Sequence, residues 1–275
     1  MRRGRWGVGA WLSGGVVLLL ALVMVAPFLY MVATSLMGGL EALRSPPAVL
    51  PGSPRWANYA EALTAMPFGR LFINSAIFAG CVVVGQVLTS AAAAYAFARL
   101  RFPGRDRVFL AFLSVLMVPA VVLLIPRFLI IHALGWVDSF QGLIVTEMVS
   151  VWGIFLLRQF FQTIPRDLED AARLDGAGEW TIFWRVMLPL SKPALATLAV
   201  VAFVDQWRSF LWPLVATRSV EMSVVEVGLA RFHGFYGTNW PYQMAAAVTA
   251  VVPLAIVFFV AQKYFMKGIQ LTGLR

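Results

Sequence analysis

Apolar runs long enough to cross a lipid bilayer recur along this chain and restrict its fold more than any other feature. They occupy residues 11–36, 72–98, 108–126, 143–161, 194–217 and 244–265. A hydrocarbon core of about 30 Å requires roughly 20 apolar residues per helix, and backbone groups inside lipid must be paired within a helix or a closed barrel. Only 13% of the residues are charged, which is below the usual share. We therefore predict an all-α membrane protein with six transmembrane helices in one domain, residues 1–275.

The remaining composition argues against several other classes. Cys81 is the single cysteine and lies inside an apolar run, which favours a packing role. His132 and His233 each lack a second ligand at metal spacing, so we predict no metal site and no cofactor in this chain. The net charge of +9 comes from dispersed basic residues, which argues against nucleic acid and indicates the lipid bilayer instead. We see no cluster of nucleophilic or acid–base residues typical of an enzyme.

The distribution of basic residues predicts the orientation in the membrane. Of the 22 Lys and Arg residues, 15 fall at the termini, at the loop around residues 99–107, and at the loop 162–193 with the adjacent Arg158. Six fall on the opposite side, and Arg208 lies inside an apolar run. Basic residues accumulate on the cytoplasmic side. We therefore predict that both termini and the loop 162–193 are cytoplasmic, and that residues 11–36 form a retained helix rather than a signal peptide.

A stretch of small residues lies inside the second apolar run, at Ser90-Ala91-Ala92-Ala93-Ala94. Small side chains allow another helix to approach closely. We favour a tight helix contact here over a pore-lining role.

The polar interval from Pro165 to Pro193 contains five of the chain's thirteen acidic residues. Carboxylates in the first turns after Pro165 suit a helix start, and Gly176 and Gly178 end that helix. Trp180, Phe183, Trp184 and Met187 then follow at a spacing that predicts one apolar face on a second short helix. An amphipathic segment lying on lipid is the alternative, but it would favour basic residues. The acidic balance therefore indicates a protein partner.

The same interval resembles a known motif. Asp170-Ala171-Ala172, then Gly176 after three residues, then Val186 and Leu188-Pro189, stand at the spacing of the EAA loop of ATP-binding-cassette importer permeases. Asp170 stands where that family usually has Glu, with Glu169 adjacent, and Val186 replaces Ile. Further segments resemble the maltose-permease-type, carbohydrate-uptake branch from residue 55 onward: residues 72–75, 94–99, 102–105, 157–161, 193–197 and 262–265.

The resemblance implies a function and a set of partners. The EAA loop of the family is a coupling helix, seated in a groove of a cytoplasmic ATPase that binds Mg-ATP. Two ATPases, a second homologous permease subunit and an extracytoplasmic substrate-binding protein complete the importer, in the plasma membrane of a bacterium or archaeon. The implied coupling residues are Glu169, Asp170, Ala171, Ala172, Asp175, Gly176, Leu188 and Pro189. The three lysines are followed by Pro, Tyr and Gly, so the chain lacks the Gly-Lys-Ser/Thr of a P-loop and is predicted not to be an enzyme.

Ionisable groups within the apolar runs indicate a substrate pathway, because such groups usually face a cavity or each other. The candidates are Glu147, Asp205, Gln206, Trp207 and Arg208. A simple pairing of Asp205 with Arg208 at helical spacing is the alternative. Family members often read Trp-Asn-Glu-Phe where this chain reads Trp207-Arg208-Ser209-Phe210, a departure that is compatible with an anionic substrate.

We therefore predict a permease subunit that moves a sugar or sugar derivative into the cell by alternating access. The alternative is a self-sufficient channel or an ion-coupled secondary transporter. Such a carrier is expected to show internal repeats, and we see no obvious repeat.

Overall fold

The computed structural model describes residues 8–235 and 239–272, with side chains described for residues 13–231 and 239–262. The terminal basic residues Arg2, Arg3, Arg5 and Arg275, and the side chains of Lys263 and Lys267, lie outside the described part. The described residues are helical and contain no strand, which confirms the all-α prediction. They form two compact units. Whether residues 1–275 act as one permease domain stays a prediction.

The first unit comprises Met1–Met66 and Leu229–Val251. Its helices are α1 (Val8–Ser35), α2 (Gly39–Ala42) and α3 (Ala57–Ala65). The buried side chain of Asn58 ties α3 to the end of α1, because its amide donates to the carbonyls of Ser35 and Met37, both at 2.8 Å. Between Ser13 and Ser35, only 6% of the most apolar window of α1 is buried inside the chain, so most of α1 is available to lipid or to a partner.

The second unit comprises Pro67–Gly228 and Val252–Arg275. Two helices, α14 (Val225–Phe235) and α15 (Trp240–Thr272), each contribute to both units. The other helices of the second unit are α4 (Phe68–Arg99), α5 (Arg105–Ser114), α6 (Leu124–Ala133), α7 (Phe140–Ile144), α8 (Val151–Thr163), α9 (Asp167–Leu174), α10 (Glu179–Ile182), α11 (Leu188–Leu190), α12 (Lys192–Trp207) and α13 (Leu211–Ala216).

The described helices provide between four and six candidate membrane spans. Four segments are long and apolar enough: Ser13–Ser35, Phe68–Arg99, Phe140–Thr163 and Trp240–Gln262. Two bent pairs bring the number to six if each is one span: Arg105–Met117 with Ala120–Ala133, bent by 97°, and Glu179–Leu190 with Lys192–Trp207, bent by 77°. The first bend falls at Pro119, which lacks the N–H that would continue a helix. Each of the six predicted spans overlaps one of these segments, although the predicted span 194–217 overlaps only the second helix of its bent pair. The number of six spans and their bounds stay predictions.

The centre of the second unit is the contact between α4, α8 and α12. Ser90, Ala91 and Ala94 of α4 are almost fully buried, and the two alanines pack with Leu157 of α8 and Leu198 of α12. Small residues at these positions allow the helix axes to approach closely. The predicted role of this stretch as a helix contact is confirmed.

Asp138 links two loops of the second unit, and we call its set of contacts the Asp138 clamp. The backbone N–H of Asp138 donates to the Ala216 carbonyl at 2.8 Å. Its carboxylate Oδ1 accepts from the N–H groups of Arg218 and Ser219 and from the Ser219 hydroxyl, at 2.8, 3.1 and 3.0 Å. Partial burial opposes ionisation of Asp138, but these three hydrogen bonds and the Arg218 charge hold its pKa below the usual value.

Candidate functional site

The acidic helix predicted after Pro165 is α9. It begins at Asp167, and its first turn carries Asp167, Glu169 and Asp170, whose charges favour the positive end of the helix dipole. It ends in a Schellman motif: the Ala177 N–H donates to the Ala172 carbonyl at 2.9 Å and the Gly176 N–H donates to the Arg173 carbonyl at 3.0 Å. Gly176 has φ +82°, a left-handed conformation that favours glycine. The motif glycine therefore sets the turn out of α9.

The two adjacent carboxylates of α9 differ in their exposure to solvent. Glu169 is 2% exposed, and its Oε1 lies 2.8 Å from the Nε of Arg99, the last residue of α4. The side chain of Asp170 is 66% exposed and accepts a hydrogen bond from Arg173 Nη1 at 2.9 Å. Glu169 is therefore an internal residue of this chain, whereas Asp170 is accessible to a partner.

The accessible side of α9 combines charge with apolar surface. Ala171 and Asp175 are exposed, and Leu174 is 90% exposed. Ala172 lies on the opposite side and packs against the core around α4 and α8. Exposed apolar and acidic side chains together are typical of a protein-binding surface. We call the set Asp170, Ala171, Leu174 and Asp175 the outer face of α9.

The segment after Gly178 departs from the sequence prediction. The predicted apolar face of Trp180, Phe183, Trp184 and Met187 is present only in part: the Trp180, Phe183 and Trp184 rings contact one another at centroid distances of 5.4 to 6.1 Å, but the four side chains are not buried together. Phe183 and Met187 are buried, together with Ile182, whereas Trp180 is 70% exposed and Trp184 45% exposed. The buried stripe is shifted because residues 183–187 form a π-helical turn between α10 and α11. Pro189 follows this turn and cannot donate to the carbonyl of Arg185, so an α-helical hydrogen bond is missing there.

A network of polar side chains holds both short helices against α4. The Tyr95 hydroxyl donates to Glu179 Oε2 at 2.6 Å, and Arg173 Nη2 donates to Glu179 Oε1 at 2.9 Å. Hydrogen bonds to Glu179 and Asp170, together with the neighbouring carboxylate charges, hold the pKa of Arg173 above its usual value although partial desolvation opposes this. The motif residues Leu188 and Pro189 belong to α11, which leads into α12.

A second candidate site surrounds Glu147. Its carboxylate lies 2.5 Å from Arg127 Nη2, and the Arg127 guanidinium lies 4.0 Å from the centre of the Trp212 ring. These three residues line a cavity of about 330 Å³ together with Ala120, Val121, Leu124, Ser209, Phe210 and Leu211. A guanidinium, a carboxylate and a hydroxyl in one cavity suit a polyhydroxylated or charged small molecule.

The other predicted pathway residues have different surroundings. Asp205 and Arg208 are exposed, and they do not form an ion pair with each other among the described residues. Arg208 instead interacts electrostatically with both Asp205 and Glu226. Trp207 is buried and stacks on Phe203 at 5.5 Å between ring centroids, which is a packing role.

Sequence reasoning missed four functional candidates. Arg127, Trp212 and Glu226 were not singled out, and Arg99 entered only through the basic loop around residues 99–107. Arg127 and Glu147 are 20 residues apart, a separation from which no contact can be predicted. Glu226 carried a detectable signal, since it is one of only 13 acidic residues in an apolar chain. Among the described residues, no group of three His, Cys, Asp or Glu side chains is placed to hold a metal ion.

Comparison with known proteins defines the class. Residues 85–270 match the family of binding-protein-dependent transport system inner membrane components. The chain belongs to this family of membrane permease components, which covers α8, α9 and the Glu147 cavity. Membership in this family is consistent with a non-catalytic role.

Individual relatives make the comparison more specific. The chain is 35% identical over 268 residues to the sn-glycerol-3-phosphate transport system permease protein UgpE of Brucella abortus, covering 94% of this chain and 95% of that protein. It is 35% identical over 262 residues to the UgpE protein of Agrobacterium fabrum, covering 92% and 93%.

Solved structures show the same fold. A bacterial ABC transporter involved in the import of the acidic polysaccharide alginate matches with a TM-score of 0.85 and 25% identity, covering 96% of this chain and 99% of that one. A bacterial alginate ABC transporter in complex with a pentasaccharide-bound periplasmic protein matches with a TM-score of 0.66 and 16% identity, covering 91% and 92%.

Proposed function

We propose that this chain is the permease subunit of an ATP-driven importer that carries a sugar or sugar derivative inward by alternating access. Membership in the permease family supports this, and the observation that carries it is the geometry of α9. The helix stands at the motif spacing, and its outer face presents Asp170 and Leu174 while Glu169 is turned inward. A self-sufficient channel or ion-coupled carrier would not need such a face.

The partners follow from this proposal. Two cytoplasmic ATPases that hold Mg-ATP would each receive one coupling helix, and this chain would supply one of the two. A second homologous permease subunit would supply the other, and an extracytoplasmic binding protein would deliver the substrate. The distribution of basic residues supports a cytoplasmic position for α9, at the inner membrane of a bacterium or archaeon. The exposed apolar surface of α1 leaves room for lipid or the second permease subunit.

The chemistry of the candidate pathway favours an anionic substrate or a polyol. Arg127, Glu147 and Ser209 meet in one cavity, and Arg208 is exposed next to it in sequence. Relatives named for sn-glycerol-3-phosphate and for alginate carry substrates with both hydroxyl and anionic groups, which agrees with this chemistry. The surroundings of Arg208 in this pathway are Asp205, Gln206 and Trp207, which do not line the Glu147 cavity.

Purification of the tagged chain from its host tests the proposal. We expect a nucleotide-binding subunit and a second permease to copurify, and uptake of radiolabelled sn-glycerol 3-phosphate or a uronate oligosaccharide by proteoliposomes to require ATP. A complex without a nucleotide-binding subunit, or uptake that proceeds without ATP, would contradict it. Arg208→Ala serves as the pathway variant, because unchanged substrate affinity and rate would remove Arg208 from the pathway.

A further inference from the structure

We propose that Arg99 is a positioning residue that locks the coupling helix α9 to α4, and that Glu169 acts through Arg99 rather than by touching the ATPase. This inference rests on the proposed function, because it concerns how the outer face of α9 is held. It assigns different roles to two adjacent carboxylates. Asp170 meets the partner, and Glu169 fixes the helix that presents Asp170.

The contacts of Arg99 join three helices through one side chain. Arg99 is 8% exposed, and its Nη2 donates to the carbonyls of Phe161 and Ile164 at 2.6 and 2.5 Å. These carbonyls end α8, where a cation is favoured by the helix dipole. On its other side, Nε of Arg99 lies 2.8 Å from Glu169. The end of α4, the end of α8 and the start of α9 are therefore fastened at one point.

Because Arg99 and Glu169 are both buried, the attachment of α9 to α4 requires both of their charges. The side chains of Arg99 and Glu169 are each 3% exposed. Removing Arg99 leaves the buried Glu169 carboxylate with only its longer 3.4 Å contact to Arg173, and removing Glu169 leaves the buried Arg99 charge with carbonyl oxygens alone. The Nε–Oε1 contact is a close ion pair outside aligned hydrogen-bond geometry, so its attraction is mainly between the charges. We therefore expect α9 to detach from α4 when either charge is removed.

A second tie prevents α9 from pivoting about Arg99. Tyr95 lies one turn earlier on α4 and donates to Glu179 of α10, while Arg173 bridges Glu179 and Glu169 at 2.9 and 3.4 Å. Two attachment points on the same face of α4 fix both the position and the direction of α9. A force applied to the outer face is therefore transmitted to α4.

Helix α4 connects this attachment to the Glu147 cavity. Gln86 lies 13 residues before Arg99, about 20 Å along the helix, and its side-chain amide donates to the Glu147 carbonyl at 2.8 Å. One continuous helix thus contacts the coupling helix at one end and the cavity wall further along. Movement of α9 is expected to reach the cavity through α4.

The test measures whether α9 and α4 stay at a fixed distance in the assembled complex. Nitroxide labels are placed at Leu168→Cys on α9, outside the outer face, and at Leu88→Cys on α4, both exposed positions, in a Cys81→Ser background. The distance between the labels is measured by pulsed electron paramagnetic resonance on the complex with its copurified ATPase, before and after trapping with ATP and vanadate. With Arg99 intact we expect one narrow distance that trapping leaves unchanged.

Four variants separate the proposal from its alternatives. Arg99→Gln and Glu169→Gln are each expected to raise the population of detached arrangements at least about tenfold, while the ATPase still copurifies because Asp170 is intact. Arg99→Gln/Glu169→Gln is expected to give a narrower distribution than either single variant, since it leaves no unpaired buried charge. Arg99→Lys, which keeps the charge, is expected to fall between wild type and Arg99→Gln, and it serves if the neutral variants do not assemble.

Arg101→Gln is the control, because it removes an exposed charge two residues from Arg99 and should leave the distance distribution narrow.

Narrow distance distributions in both single variants, or a double variant with a distribution as broad as those of the single variants, would overturn the proposal. Loss of the ATPase from Glu169→Gln but not from Arg99→Gln would show instead that Glu169 touches the partner. Failure of the wild-type complex to contain an ATPase would count against the proposed function and not against the Arg99 attachment.

Discussion

Gly153→Ala tests the helix contact on which both candidate sites depend. Gly153 lies in the first turn of α8, where α4 and α12 meet it. A Cβ at this position would lie 2.6 Å from the Ser90 Oγ and 2.9 Å from Leu198 Cδ1, far inside normal contact distance. Overpacking of this kind costs about 1–3 kcal/mol, and the better helix propensity of alanine returns up to about 1 kcal/mol. We expect a net destabilisation of about 1–2 kcal/mol.

Gly80→Ala is the matched control. Gly80 is also helical, in α4, but a Cβ there meets nothing within 4 Å in this chain. Only the propensity gain applies, so we expect a stabilisation of up to about 1 kcal/mol. Ser90→Ala/Gly153→Ala should recover part of the loss, because it removes the 2.6 Å contact and leaves only the contact with Leu198.

Thermal unfolding of the detergent-solubilised chain provides the measurement. A difference of about 2 kcal/mol between the two alanine variants corresponds to roughly 4–8 °C for a chain of this size. Equal shifts of the same sign for Gly153→Ala and Gly80→Ala would refute the reasoning, since the close approach of α4, α8 and α12 would then not limit the size of residue 153.

Three further predictions concern the clamp, the cavity and the outer face. Asp138→Asn should lower stability at pH 7 by about 1 kcal/mol. Because the folded pKa of Asp138 is lowered, its contribution is present above the unfolded pKa of about 3.9 and is lost as the pH falls through the folded value. Thermal unfolding of wild type should show this acid step, and the variant should lack it. Glu147→Gln leaves Arg127 without its carboxylate and should reduce ATP-driven uptake without dissociating the complex, as size-exclusion chromatography would show. Asp170→Lys reverses an exposed charge and should reduce the copurified ATPase at least about tenfold, a loss of roughly 1.4 kcal/mol or more, with an unchanged melting temperature.

The sequence was sufficient for the helical class and for the position of the coupling helix. Apolar length, basic residues and the spacing from Asp170 to Pro189 are properties of neighbouring residues, so they can be read without tertiary contacts. The small residues from Ser90 to Ala94 predicted a helix contact for the same reason, because size alone decides how closely helices approach.

The orientation of individual side chains could not be predicted in the same way. Glu169 and Asp170 are adjacent and differ by about 100° around α9. Tertiary contacts, of Glu169 with Arg99 and of Ala172 with the core, decide which one turns inward. The Arg127–Glu147 pair depends on the loop between α6 and α7, which the apolar pattern does not define. The outward position of Trp180 depends on a π-helical turn, and a period of 3.6 residues cannot anticipate that turn.

The π-helical turn at residues 183–187 also contributes to the length of the interval between Gly176 and Leu188 in this chain. A π turn holds one residue more than an α-helical turn, so deleting Val186 would restore a regular helix and rotate α10 by about 100° relative to α12. Trp180 would then exchange places with buried residues, and the Tyr95–Glu179 contact would be lost. Removing one residue from this π-helical turn is therefore expected to misdirect α10 and break its contact with Tyr95, while the apolar runs of the chain remain unchanged.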